Sequence, residues 1–114
     1  LGPARKGLSA VFSGDTSPCP GLLQAAQGAD LLVCDATYAL PEQEEQAKQW
    51  GHSTFGQSAA LAAQAGAKRL WLTHYSPMIT DPEEYAAEAQ KIFPAAECGF
   101  DGKRILLQYE EDAP

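Results

Sequence analysis

The segment Leu31-Leu32-Val33-Cys34-Asp35-Ala36-Thr37 determines how the fold of this chain is interpreted. Its first four residues form a continuous apolar run, which is typical of a strand covered on both faces. Polar residues follow directly where the predicted strand ends. Residues 8–12, 70–72 and 105–107 are also short apolar runs. These runs predict a sheet whose strands end in polar loops.

Helical segments lie between the predicted strands. Residues 22–26 carry apolar side chains at helical spacing and are followed by Gly28, which predicts a short first helix. Thr54 and Gln57 have the spacing of a capping box, and the alanine-rich helix that they introduce is expected to end at Gly66. Strands that alternate with helices predict an α/β layer in which helices cover the sheet.

A polar segment and a last helix complete the predicted elements. Residues 41–50 are rich in Glu and Gln, and predict a short exposed helix or an ordered loop. Asp81 has the character of an N-cap for the last helix, which Pro94 would stop. Its predicted buried stripe consists of Tyr85, Ala89, Ile92 and Phe93.

Composition restricts the classes of function. The 114 residues carry a formal net charge of −7, which argues against a broad basic surface for nucleic acid. It does not exclude a substrate that reaches a metal ion in a cleft. No apolar run approaches the roughly 18 residues of a membrane span. The three cysteines form no Cys-x-x-Cys pair, and we interpret them as free thiols of a reducing, cytoplasmic compartment.

Three polar clusters contain the candidate metal ligands, and the only two histidines of the chain fall in them. Asp15 follows the first predicted strand, His52 precedes the alanine-rich helix, and His74 follows the third strand. Taken singly, each is better explained as a turn residue, a surface histidine or a half-buried histidine. Together they are ligands that suit Zn or Mn. The helix that begins near His52 also favours a phosphate at its N-terminus.

Asp35 forms a fourth, weaker cluster with Ala36 and Thr37. Its carboxylate could accept the second ring N–H of His52, which would fix the tautomer and raise the basicity of that ring. A strand-end Asp in an ordinary turn explains the residue equally well.

The order and spacing of four motifs resemble the C-terminal half of ribonuclease Z, a family of the metallo-β-lactamase superfamily that matures the 3′ ends of tRNA precursors. The motifs are Gly14-Asp15-Thr16, Asp35-Ala36-Thr37, Gly51-His52-Ser53-Thr54 and Leu72-Thr73-His74-Tyr75-Ser76. The resemblance implies the C-terminal half of an αββα sandwich. Residues 1–114 would form one unit, with a polar tail at 110–114.

The resemblance also implies roles for individual residues. Asp15 would bridge two divalent metal ions, with Zn expected and Mn as the alternative, and His74 would be a terminal ligand. His52 would protonate the leaving oxygen or steady the scissile phosphate, with Asp35 as its acidic partner. Residues expected to contact phosphate or substrate are Ser53, Thr54 and Ser76. The implied partners are a tRNA precursor, the N-terminal half of the fold and a second copy in a homodimer.

The sequence departs from the family pattern at three places. Asp35 stands where the family usually has Glu, so we expect its contact to His52 to be looser or bridged by water. Met78 stands where an Arg that grips a phosphate is expected, which removes a bidentate clamp. The family signature His-x-His-x-Asp-His, which supplies most metal ligands, is absent.

The missing ligands agree with a chain that begins with Leu1 and whose only methionine is Met78. We therefore expect a fragment that is inactive alone, with the remaining ligands outside this chain. Two other functions stay open. One is a superfamily hydrolase of a small phosphodiester or another ester, and the other is a non-catalytic α/β binding module.

Overall fold

A parallel sheet of four strands forms the centre of the described chain, which in this computed structural model comprises residues 9–14 and 16–100. The strands are β1 (Ala10–Phe12), β2 (Leu31–Asp35), β3 (Leu70–Thr73) and β4 (Ala96–Cys98). They are adjacent in chain order, and every pair is parallel. The carboxyl ends of all four strands therefore lie at one edge of the sheet. This layout confirms the predicted α/β class.

Four α-helices connect or follow these strands within the described ranges. They are α1 (Pro20–Ala26), α2 (Glu44–Gln49), α3 (Phe55–Ala65) and α4 (Ala86–Gln90). Single 3-10 turns at Pro41–Gln43 and Pro82–Tyr85 lead into α2 and α4. None of these helices is long and apolar enough to cross a membrane.

The capping box at the start of α3 is confirmed. The hydroxyl oxygen of Thr54 accepts a hydrogen bond from the backbone N–H of Gln57, and the Gln57 side chain accepts one from the N–H of Thr54. Gly66 ends the helix in the left-handed conformation at φ 71°, which glycine adopts without steric cost. The cap fixes where α3 starts and therefore holds residues 51–54 at the carboxyl edge of the sheet.

The helices cover one face of the sheet. Leu32, Leu70 and Leu72 point into this face and are at most 1% exposed, packed against α3 residues such as Phe55. Side chains alternate along a strand, so Val33 belongs to the opposite face, and it is half-buried. Leu31 and Asp35 share this second face and are buried, so β2 is covered on both faces as expected, except at Val33.

The C-terminal part of the described chain differs from the sequence prediction. Helix α4 ends at Gln90, and Ile92 is 42% exposed, so the predicted stripe is only partly buried. The fourth strand is β4, which was not predicted because Ala-Glu-Cys is short and has no β-branched or aromatic residue. The predicted strand at 105–107 and the tail at 110–114 lie outside the described residues.

Candidate active site

The polar loops meet at the carboxyl edge of the sheet, where open α/β folds place their functional residues. The N–H of Ala36, after β2, donates to the carbonyl of Thr73 at the end of β3 over 2.7 Å. Tyr38 and Thr54 form an isolated parallel bridge, which joins the loop after β2 to the start of α3. Separate parts of the sequence are thereby brought into one surface.

Asp35 lies beneath this surface and connects the loops that form it. It is completely buried, and its carboxylate accepts five hydrogen bonds. Oδ1 accepts from the backbone N–H and hydroxyl of Thr37 at 2.9 and 2.8 Å, and from the N–H of Ser53 at 3.4 Å. Oδ2 accepts from the N–H of Thr16 at 3.1 Å and from His52 at 2.8 Å. A buried carboxylate with so many donors ties three loops together.

The contact between Asp35 and His52 is direct, and the expectation of a looser or water-bridged contact is wrong. Nδ1 of His52 lies 2.8 Å from Oδ2 of Asp35, with a quarter of the His52 side chain exposed. The shorter Asp side chain suffices because the loop before α3 approaches the end of β2. The N–H of His52 donates to the carbonyl of Ala47 over 2.8 Å, and its carbonyl accepts from the hydroxyl of Ser17.

This geometry defines the proton positions on His52. An ionised carboxylate only accepts hydrogen bonds, so we assign the donated proton to Nδ1. Within the described chain nothing hydrogen-bonds to Nε2, on the other side of the ring. Tyr38 packs against the ring edge-on, with centroids 6.4 Å apart. The arrangement leaves Nε2 as the atom that can exchange a proton with a substrate.

The three residues expected to contact substrate are used differently. Ser53 is buried, and its hydroxyl donates to the carbonyl of Thr16 over 2.8 Å. Thr54 is buried too, and its hydroxyl caps α3. Ser76 is half-buried, and its hydroxyl accepts from the N–H of Met78 over 3.2 Å. Contact of these residues with phosphate stays a prediction, since each hydroxyl already has a partner within the loops.

His74 has an unusual backbone conformation. Its φ of 59° is left-handed, which is uncommon for a residue with a side chain and typical of functional loops. The hydroxyl oxygen of Thr37 lies 2.8 Å from the His74 carbonyl oxygen and 2.8 Å from Asp35 Oδ1, so its single proton is shared between these two acceptors. Thr37 therefore connects the His74 loop to the buried carboxylate, which the sequence did not predict.

The metal ligands are only partly represented. Asp15 lies outside the described residues. Among residues 9–14 and 16–100, no group of three His, Cys, Asp or Glu side chains comes together in a way that could hold a metal ion. His74 has an exposed imidazole at the expected edge, so its chemistry suits a metal, but further ligands are required.

Two hydroxyl groups that hydrogen-bond to the backbone of Asp35 were also not predicted from the sequence. The hydroxyl of Ser58, in α3, donates to the Asp35 carbonyl, and Ser13, after β1, accepts from the Asp35 N–H over 2.9 Å. Periodicity alone gave no signal for these contacts, because each depends on the packing of distant segments. They make the position of Asp35 rigid.

Tyr75 is excluded as an acid or base at neutral pH. Its hydroxyl lies within hydrogen-bond distance of the carbonyls of Leu72 and Gly99, at 2.7 and 2.9 Å. Burial raises the pKa of Tyr75 well above its usual range, and neighbouring Cys98 adds to this effect. The phenol therefore stays protonated and joins the loop after β3 to the end of β4.

Comparison with known proteins agrees with this arrangement. Residues 4–75 match the family model described as the beta-lactamase superfamily domain. The chain belongs to the beta-lactamase superfamily. Members of this superfamily with the metallo-β-lactamase fold use divalent metal ions, which the exposed His74 at the carboxyl edge suits.

Individual proteins similar to this chain give more detail than the superfamily model. Ribonuclease Z of Lachnoclostridium phytofermentans is 46% identical over 112 residues, which cover 98% of this chain and 37% of the relative. Human tRNase Z, short form, has a TM-score of 0.69 at 28% identity, covering 90% of this chain and 35% of that structure. A metallo-beta-lactamase fold protein of Bacillus subtilis has a TM-score of 0.68 at 23% identity, covering 79% and 36%, and shows the fold alone. The sequence resemblance is thus confirmed, and the chain spans about 37% of the length of the curated relatives it matches.

Proposed function

We propose that this chain is the C-terminal part of a metal-dependent phosphodiesterase that cleaves tRNA precursors endonucleolytically at the 3′ end. The observation that carries the proposal is the direct 2.8 Å contact between Nδ1 of His52 and the buried carboxylate of Asp35. A completely buried carboxylate that holds a partly exposed imidazole is an arrangement suited to proton transfer. The likeness to proteins named ribonuclease Z and tRNase Z supports RNA as the substrate.

In this proposal His52 is the general acid. The oxygen of a water molecule attacks phosphorus and its proton passes to solvent, the bond from phosphorus to the ribose oxygen breaks, and Nε2 of His52 gives its proton to that leaving oxygen. Asp35 remains ionised and stabilises the protonated imidazole through Nδ1, while its contacts to Thr16 and Thr37 keep the ring in place. Nε2 then regains a proton from solvent before the next cycle.

The metal ions would be held by Asp15 and His74, together with ligands that lie outside this chain. When bound, a pair of divalent ions supplies a hydroxide nucleophile and neutralises charge on the phosphate. Zn is the expected metal and Mn the alternative, since imidazole and carboxylate serve both. The left-handed backbone of His74, held by Thr37, would present the imidazole in a constant direction.

The net charge of the chain bears on how an RNA substrate would be bound. With a net charge of −7, this chain contributes few basic contacts, so an RNA substrate would be bound through the metal ions and through surfaces elsewhere in the protein. We propose that the complete protein is a cytoplasmic homodimer. Size-exclusion chromatography with light scattering tests the oligomeric state.

Cleavage of a tRNA precursor by the complete protein tests the proposed function. We expect 3′-end cleavage, with His52→Ala lowering turnover by ~10²–10⁴ and leaving the metal content unchanged. His74→Ala should instead lower the metal content. Metal loss in His52→Ala would mean that His52 is a ligand, and would overturn its role as the proton donor. The isolated 114-residue chain should neither retain two equivalents of zinc nor hydrolyse a phosphodiester.

Hydrolysis of a small phosphodiester is a second candidate, favoured by Met78 in place of a cationic residue. Met78 is 89% exposed beside Ser76, so this loop offers no guanidinium for a phosphate of a long substrate. Activity on bis(p-nitrophenyl) phosphate without cleavage of tRNA precursors would favour this candidate. Hydrolysis of neither substrate would favour a non-catalytic binding module.

A further inference from the structure

A cleft of about 330 Å³ lies beside the Asp35–His52 pair, between the start of α2 and the loop after β3. It is lined by Thr37, Tyr38, Gln43, Gln46, Ser76, Met78 and Ile79. Its size is at the lower end of small-molecule sites, which span about 300–1,000 Å³. None of these residues has a part in the proton transfer or metal binding proposed above, except Thr37 through its positioning contacts.

The lining has the chemistry of a nucleobase site. It contains an aromatic ring, a thioether and an aliphatic side chain from Tyr38, Met78 and Ile79, which offer flat apolar contact. It also contains two amides. Gln43 uses its Oε1 to accept from the N–H of Leu40, and its amide NH₂ remains a donor. Apolar surface combined with amides matches a base, which has a face for stacking and an edge for hydrogen bonds.

The lining is poorly suited to a phosphate. Its seven residues include no Lys, Arg or His. Met78 contributes apolar surface where a cation would have attracted an anion. The lining of the cleft therefore favours an uncharged part of the substrate.

Tyr38 connects this cleft to the proton donor. Its ring packs edge-on against the His52 ring, with ring centroids 6.4 Å apart and an interplanar angle of 67°. Its backbone is attached to the same loop, since its N–H donates to the carbonyl of Ser53 at 3.4 Å and its carbonyl accepts from Phe55 at 2.9 Å. A ligand in the cleft is thus held at a constant position relative to His52.

We propose that this cleft binds the base of the nucleotide whose ribose oxygen leaves. This inference rests on the proposed function, in which His52 protonates that oxygen. The base packs against Tyr38 and Met78, and the amides of Gln43 and Gln46 bond its edge. Binding here brings the leaving oxygen to the imidazole.

Substitution of the lining in the complete protein tests the subsite through kinetics. The variants are Met78→Ala and Gln46→Ala, and the matched control is Gln24→Ala, an exposed Gln on α1. Each is assayed on a precursor RNA and on the same RNA with an abasic residue on the leaving side of the cleaved bond. With the intact RNA we expect Met78→Ala to lower kcat/KM by about 2- to 12-fold, mainly through KM, the range for loss of one contact between a thioether sulfur and an aromatic ring.

With the abasic RNA the wild type and the Met78→Ala and Gln46→Ala variants should be nearly equal, because the group that the cleft binds is missing. Gln24→Ala should match the wild type on both. Losses of equal size on the intact and abasic RNAs, or no loss on either, would overturn the subsite while leaving the proposed cleavage activity standing.

A direct binding measurement is independent of activity. The ¹³C-methyl signal of Met78 in the complete protein is assigned by its disappearance in Met78→Leu. Adenosine or uridine should shift this signal, and inorganic phosphate should not. A shift with phosphate, or none with any nucleoside, contradicts the subsite. If no RNA is cleaved the proposed function fails, and the nucleoside titration alone then decides whether the cleft binds a base.

Discussion

Replacement of Asp35 by Asn is the perturbation with the largest expected effect, because it keeps the shape of a buried side chain and removes its charge. Asn can still accept at the position of Oδ1, where Thr37 and Ser53 donate. Its NH₂ group then takes the place of Oδ2, which accepts from Thr16 and His52. The N–H of Thr16 and Nδ1–H of His52 would then face the new NH₂ group, which is also a donor. Neither of the hydrogen bonds that Oδ2 accepts can therefore form.

The magnitude follows from these two bonds. The N–H of Thr16 loses its acceptor, at a cost of about 1–3 kcal/mol for a donor left unsatisfied. His52 can change tautomer and accept from the new amide, but it loses a hydrogen bond to a charged group, worth about 1.5–3 kcal/mol. Allowing for the new amide–imidazole bond, we expect a decrease of about 2–4 kcal/mol in the free energy of unfolding. Turnover should fall by ~10²–10⁴, because the protonated imidazole is no longer stabilised.

Urea denaturation measures the first effect, and ¹⁵N NMR of the imidazole reports the change of tautomer. Asp81→Asn is the matched control. Asp81 is exposed and accepts from the N–H of Glu83 over 3.2 Å as an N-cap, and Asn caps helices as well as Asp does. The control should change stability by less than about 0.5 kcal/mol. If Asp35→Asn is as stable as this control and keeps the proton of His52 on Nδ1, the argument from the buried carboxylate is wrong.

Three further predictions concern other parts of the structure. Gly99→Ala should destabilise the protein by about 1–3 kcal/mol, because its Cβ would lie 2.6 Å from the carbonyl oxygen of Leu72, whereas Gly21→Ala, whose Cβ meets nothing within 4 Å, should not lower Tm. In the complete protein Thr37→Val should lower metal occupancy, measured by mass spectrometry, and Thr37→Ser should restore it, since the hydroxyl between the two loops is kept; equal occupancy in Thr37→Val and the wild type would contradict this role. Burial raises the pKa of Cys98 from 9.0 to about 11, so the unfolded thiol ionises first and stability should fall as pH rises from 9 to 11. Cys98→Ala should flatten this slope in urea denaturation, and an unchanged slope would contradict the assignment.

The fold was predictable where local signals were strong. The apolar runs of β2 and β3 and the capping box of α3 depend on neighbouring residues, and the structure agrees with them. β4 depends instead on its partner, since Ala96 and Cys98 lie beside Leu70 and Leu72 of β3. A three-residue segment that contains Ala and Glu, both of low β propensity, becomes a strand because the existing sheet offers unpaired backbone groups.

The contact between two residues of the candidate site was expected from the sequence, and most of the other connections were not. The pairing of Asp35 with His52 was considered from their positions and was also implied by the resemblance, and their direct contact agrees with it. The roles of Ser13, Ser58 and Thr37 could not be predicted, because hydroxyl groups bond whichever backbone atom the tertiary structure brings near them. The buried state of Asp35 likewise results from packing of several loops.

The role of His52 as a proton donor is the central claim, and a substrate with a sulfur leaving atom tests it most directly. In such an RNA the bridging oxygen at the cleaved bond is replaced by sulfur, which leaves as a thiolate and needs no proton. The complete protein and its His52→Ala variant are compared on the oxygen and sulfur substrates at equal metal content. We predict that the variant loses ~10²–10⁴ in turnover on the oxygen substrate and little on the sulfur substrate. Equal losses on both substrates would contradict proton donation by His52.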